Sequence, residues 1–96
     1  MRRIAFHPLA ARELLETESW YRRRSPMTAL VFRAEITRLL DTIAESPLIW
    51  AEQPGGGRRA LIPRFPYSVI YRVTDDAIVV TAIAHHKRRP GYWSSR

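Results

Sequence analysis

The stretch from Arg58 to Trp93 constrains the chain most. It divides into an alternating run, RRALIPRFPYSVIYRV, a second run, TDDAIVVTAIA, and a basic aromatic tail, HHKRRPGYW. Tyr67, Val69, Tyr71 and Val73 recur at period two, as do Ile78, Val80, Ala82 and Ala84, and Thr74-Asp75-Asp76 between them has hairpin-turn chemistry. The reading is a β-hairpin. It delivers His85, His86, Lys87, Arg88, Arg89, Tyr92 and Trp93 into a short segment that Pro90 and Gly91 keep from continuing as strand or helix. That tail is the expected seat of function.

Upstream, Arg2 to Phe6 reads as a short strand ended by His7-Pro8, where proline stops pairing and suits the first turn of a helix. A helix is expected from Leu9 to about Arg24. Ala10, Ala11, Leu14, Leu15 and Tyr21 fall at helical spacings, with Glu13, Glu16 and Glu18 on the wet side and Arg22, Arg23 and Arg24 at the C-terminal end, where the helix dipole favours positive charge. Ser25-Pro26 breaks this helix and starts another, serine as N-cap and proline in the first turn. Ala29, Phe32, Ile36, Leu39 and Ile43 form its apolar stripe, and Ser46-Pro47 ends it. The short gap makes the two helices an antiparallel hairpin whose joint apolar face needs a sheet.

From Leu48 to Gly57 the chain is a loop, with Trp50 and Pro54 before three glycines. Arg58 and Arg59 emerge from it, and Arg59 and Leu61 fit a short strand before Pro63. The order is β-α-α-β-β-β, an α+β fold with the helical hairpin packed on a small, mainly antiparallel twisted sheet. One domain spanning residues 1–96 is expected, because this length supports one modest core.

Composition enters through charge. The chain has 16 Lys and Arg against 9 Asp and Glu, a net charge of +7, and every basic residue but Lys87 is arginine. Such a surface suits nucleic acid, a ribosome or an acidic protein, and arginine forks match phosphate and carboxylate. With no cysteine, disulfides, thiolate catalysis and Cys-based zinc sites are excluded. Adjacent His85 and His86 point to opposite faces of a strand and have no carboxylate at ligand spacing, so neither a metal nor another cofactor is expected. No apolar run approaches the ~20 residues of a membrane span, and the arginines after Met1 precede no long apolar segment. The expectation is a soluble, unexported protein of the cytoplasm, without a membrane partner.

Across nearly its whole length the sequence resembles the RelE/ParE superfamily of toxins from bacterial type II toxin–antitoxin modules. The resemblance rests on Phe6-His7-Pro8, Ala11, Leu14-Leu15, Trp20-Tyr21, Ala29, Phe32, Ser46-Pro47, Arg58-Arg59, Arg64-Phe65-Pro66-Tyr67, Tyr71, His85, Arg88-Arg89-Pro90 and Tyr92-Trp93. It implies a toxin that arrests growth and is held in a hetero-oligomer by a cognate antitoxin. Its target would be DNA gyrase for ParE-like members, or mRNA on the ribosome for RelE-like endonucleases. For a nuclease, the candidates are His85 as acid or base, His86 less so, Arg64, Arg88 and Arg89 as phosphate clamps, and Tyr92 or Trp93 as a stacking platform.

Two departures favour the ParE-like branch. Ser68 stands where RelE-like nucleases carry a catalytic arginine, and Arg88 lies closer to Tyr92 than the corresponding residues of those enzymes. The ending His-x-x-Arg-Arg-Pro-x-Tyr-Trp also resembles ParE-like chains. The gyrase reading needs no catalysis and assigns target binding to Arg58, Arg59, Arg64, Arg88, Arg89, Tyr92 and Trp93. A non-toxic basic module that binds and regulates is a third reading. Plainer roles accompany these: His85 bonded to backbone, Tyr67 and Tyr71 in the core or at the sheet rim, Trp20 and Tyr21 in the core, and Trp50 covering the hairpin or facing a partner.

Overall fold

The computed structural model describes residues 2–96. Strand β1 is Arg3–Phe6, followed by helices α1, Pro8–Arg24, and α2, Pro26–Glu45, and by strands β2, Arg58–Leu61, β3, Tyr67–Val73, and β4, Ala77–His85. The helix boundaries follow from capping. His7 caps α1 by accepting the Leu9 N–H at Nδ1, 3.1 Å away, with Pro8 opening the helix. Ser25 serves both helices: its N–H donates to Tyr21 O at 2.7 Å, and its Oγ accepts the Thr28 N–H at 3.2 Å. Pro26 then begins α2, so the reversal takes one residue and the helices lie antiparallel.

The apolar stripe of α2 is buried as expected, from Ala29 through Phe32, Ile36 and Leu39 to Ile43. Helix α1 departs from its reading at four positions. Leu15 and Trp20 are exposed, whereas Glu18, assigned to the wet side, is buried, and Glu13, assigned there too, is largely covered. The reason is packing on two sides: Ala10, Leu14 and Tyr21 meet the sheet-facing core, while Glu18 faces α2, where Arg33 grips both carboxylate oxygens with Nε and Nη2. A forked, fully bonded pair makes that carboxylate tolerable inside. Trp20 keeps one ring face against its own helix end, with the Arg24 guanidinium 3.6 Å from the ring centroid.

The sheet order is β1-β4-β3-β2. Both β3 and its neighbours β2 and β4 run antiparallel, and β1 lies parallel to β4, which the helical hairpin makes possible by carrying the chain across the sheet. On the helix side, Phe32, Ile36, Ile43, Val69, Tyr71, Ile78, Val80 and Ile83 form the core. Phe65 and Tyr67 meet Tyr21 and Phe32 edge to face, and the buried Tyr71 hydroxyl donates to Pro47 O at 2.6 Å.

The second alternating run does not keep one face. Ile70 pairs with Ala82, but Tyr71 pairs with Val80, leaving Thr81 as the extra residue of a β-bulge. Its hydroxyl donates to Ile70 O at 3.2 Å. Ile78 and Val80 therefore face the helices, and beyond the bulge Ile83 takes that side while Ala82 and Ala84 turn to the reverse. The reverse face is covered by the tail: Trp93, 7% exposed, lies on Ile70, Ala82 and Ala84. Its indole N–H donates to Gly56 O at 3.2 Å, so the glycine loop is tied to the same cover. Among the described residues no helix is long and apolar enough to cross a membrane.

Candidate target-binding site

The tail is fixed by one carboxylate. Glu13 of α1 accepts the Ile83 N–H at 3.0 Å, the Tyr92 hydroxyl at 2.9 Å, and Nη1 and Nη2 of Arg96 at 2.9 and 3.0 Å. Burial, reinforced by the hydrogen bond and negative charge of Glu13, raises the Tyr92 phenol far above its ordinary value, against the opposing pull of Arg88 and Arg96. The hydrogen bond to Glu13 raises Arg96 in turn. Both cations also lie over the Tyr92 ring, the Arg88 guanidinium at 3.9 Å and that of Arg96 at 5.1 Å. Arg88 is thereby positioned by stacking, with no carboxylate partner among the described residues.

At the end of β4 the chain turns tightly, Arg88 N donating to His85 O at 3.0 Å and Lys87 N to His85 Nδ1 at 3.0 Å. With Nδ1 so engaged, a neutral His85 ring carries its proton on Nε2 and is a donor at its open edge. Tyr67 packs edge-on against it at 4.8 Å. The turn leaves His86, Lys87, Arg88 and Arg89 exposed, four cation-forming side chains in sequence.

The other predicted residues have separate engagements. Arg58 is tied to its own loop, donating to Trp50 O at 2.7 Å and Leu48 O at 3.3 Å and pairing with Glu52 at 3.2 Å. Arg59 Nε donates to the Ser68 hydroxyl at 3.0 Å. Arg64, held at a positive φ of 71°, turns toward α2, where it and Arg38 share Oε1 of the buried Glu35 at 3.5 and 3.3 Å. Trp93 is packed inside. Trp50 is half-buried with its ring edge-on to Tyr71.

A proton-transfer set therefore does not converge. His85 and Arg88 line one cleft of about 230 Å³, but Glu13 and Glu16 line it too and would repel a phosphodiester. The Tyr92 hydroxyl is committed to Glu13, and Arg64 lies with Glu35 on the α2 side. Among the described residues no group of three His, Cys, Asp or Glu side chains could hold a metal ion.

A family profile described as the ParE toxin of type II toxin–antitoxin system, parDE, matches residues 4–90. The chain belongs to the ParE toxin family. Its fold matches a solved chain described as the chromosomal ParDE TA system from P. aeruginosa, with a TM-score of 0.73 and 22% identity over 88% of this chain and 96% of that one. No curated protein sequence matches.

In this ParE toxin, Glu13 and Arg96 hold the tail in place, and sequence reasoning missed both. Glu13 sits one turn after Ala10 and one before Thr17, both buried, which places it at the edge of the buried face and not on the wet side where the sequence reading put it. Arg96 carried no local signal, because its partner lies 83 residues away. Ser68 and His86, whose side chains meet at 3.1 Å, likewise become neighbours only through the strand register.

Proposed function

We infer that this ParE toxin arrests growth by interfering with DNA gyrase and is neutralised by a cognate antitoxin that assembles with it in the cytoplasm. The observation that carries the reading is the exposed turn His86–Arg89, which among the described residues has no carboxylate partner, on a tail that Glu13 pins to the body. A rigid cationic protrusion suits docking on a protein or protein–DNA surface, since fewer degrees of freedom remain to be lost on binding. The dispersal of His85, Arg64 and Tyr92 among other partners weighs against a nuclease.

The antitoxin is an acidic, partly disordered chain. A net charge of +7 attracts it, and the exposed Met27 and Leu30 on α2 and Leu48 and Ile49 after it give its apolar residues places to settle. Such a partner also stabilises this small toxin by mass action.

Induction without antitoxin, followed by incorporation of labelled thymidine and labelled methionine through the first minutes, tests the reading. Thymidine incorporation failing first supports gyrase. Methionine incorporation collapsing first supports ribosome-dependent cleavage of mRNA, and normal growth with both intact supports a non-toxic binding module.

A further inference from the structure

Three strands bring Arg59, Ser68 and His86 together on the sheet side away from the helices. Arg59 pairs with Ile70, and Ser68 lies between Leu61 and Ala84, so Arg59 and Ser68 share the face that also carries Ile70, Ala82 and Ala84. Ser68 is fully buried, yet its Oγ meets Arg59 Nε at 3.0 Å and His86 Nε2 at 3.1 Å. His86 is further fixed by its N–H, which donates to Pro66 O at 2.9 Å. One neutral oxygen thus holds two cation-forming groups.

The hydroxyl fixes the Arg59 fork without neutralising it. Arg33, Arg38, Arg58, Arg64 and Arg96 each reach a carboxylate, whereas among the described residues none pairs with Arg59 or His86. The hydroxyl occupies only Nε of Arg59, and among the described residues its two terminal nitrogens have no acceptor. A guanidinium with a fixed orientation and free donors is a preorganised receptor for a doubly bonding oxyanion. Directly beyond it come Lys87, Arg88 and Arg89.

We propose that Arg59, Ser68 and His86 form a site for a phosphodiester group of a nucleic acid, with Lys87 and Arg89 reaching neighbouring phosphates. The charge density decides the class of ligand. Duplex DNA presents a negative charge about every 1.7 Å along its axis, whereas carboxylates on one face of an extended peptide recur only about every 7 Å. Uninterrupted charge at 86–89 beside Arg59 matches the denser polyanion. This site goes beyond the gyrase reading and does not rest on it, because it is measured with DNA alone.

The test is anisotropy of a short fluorescein-labelled DNA duplex titrated with the full chain over a range of salt. Arg59→Ala is expected to weaken binding about tenfold and to lower the slope of log affinity against log salt by about one. Arg22→Ala, an exposed cation at the end of α1, should change neither so much. Ser68→Ala keeps the charge and should weaken binding about threefold by freeing the fork. Arg59→Lys, charged but without the fork, should also bind more weakly and serves where Ser68→Ala fails to fold by circular dichroism. Equal losses in Arg59→Ala and Arg22→Ala overturn the proposal, as does absence of duplex binding. Inorganic phosphate displacing the duplex at constant ionic strength would assign the site to free phosphate, and poly-glutamate binding with the same dependence on Arg59 would assign it to an acidic peptide. Either result ends the nucleic-acid assignment.

Discussion

Tyr92 donates its hydroxyl to Glu13 across 2.9 Å, joining residues 79 positions apart. The contact converts a C-terminal segment that would otherwise fray into part of the folded body. Arg96 reaches the same carboxylate and Thr81 O at the bulge, so one acidic side chain ties together helix, sheet and tail. Arg88, stacked on Tyr92, inherits its position from that knot.

Replacement of Glu13 releases the knot. Glu13→Gln keeps the shape but removes the charge that Arg96 and Tyr92 share, and is expected to cost about 2 kcal/mol. Urea denaturation measures the loss, and hydrogen exchange should show the amides of residues 92–96 opening first. Unchanged exchange there would mean that the tail is held by Trp93 instead.

The three-tryptophan sequence supplies an internal contrast. Trp93→Ala uncovers Ile70, Ala82 and Ala84 and should cost about 3 kcal/mol, read as a lower urea midpoint. Trp20 is 43% exposed and stacked under Arg24, so Trp20→Ala should cost less than about 1 kcal/mol.

Gly57 enters β2 at a φ of +87°, where an added Cβ would stand 3.1 Å from Ile70 Cγ2 and 3.3 Å from Tyr71 O. Gly57→Ala combines backbone strain with a close approach to main chain and should cost about 1–3 kcal/mol in the same assay.

Stability should fall in alkali. Burial raises Tyr21, Tyr71 and Tyr92 above their ordinary value of 10.0, with Glu13 adding to the effect at Tyr92. Below that value all three are protonated in both states and their contribution is complete. Above it the unfolded chain loses protons that the folded chain keeps, so stability declines with rising pH until the folded tyrosines ionise. Thermal melting across this range checks the decline, and Tyr92→Phe should make it shallower.

How much of this was legible depended on the range of the forces involved. Capping by Ser25, the stripe of α2 and the β3–β4 hairpin are local, and their residues announced them. The bulge at Thr81 was hidden because alanines at 82 and 84 suit either face, so the alternation carried no information about which side they take. Glu18 and Glu13 looked solvated because nothing nearby in sequence supplies their arginines, Arg33 and Arg96. Trp93 was legible as an aromatic in a basic tail but not as a lid, since the surface it covers forms only after β3 and β4 pair. The site residues were visible as types and their engagements were not: Arg58 and Arg59 are adjacent in sequence, Arg64 follows five residues on, and the three answer to different partners.

The most direct test of the central claim is supercoiling of relaxed plasmid by purified DNA gyrase in the presence of the purified toxin. Inhibition is expected for the wild-type chain and should be lost in the Arg88→Ala, Arg89→Ala double variant, whose fold and melting temperature remain near wild type because both side chains are exposed. Gyrase turning over normally in molar excess of a folded toxin that still arrests growth would contradict the account.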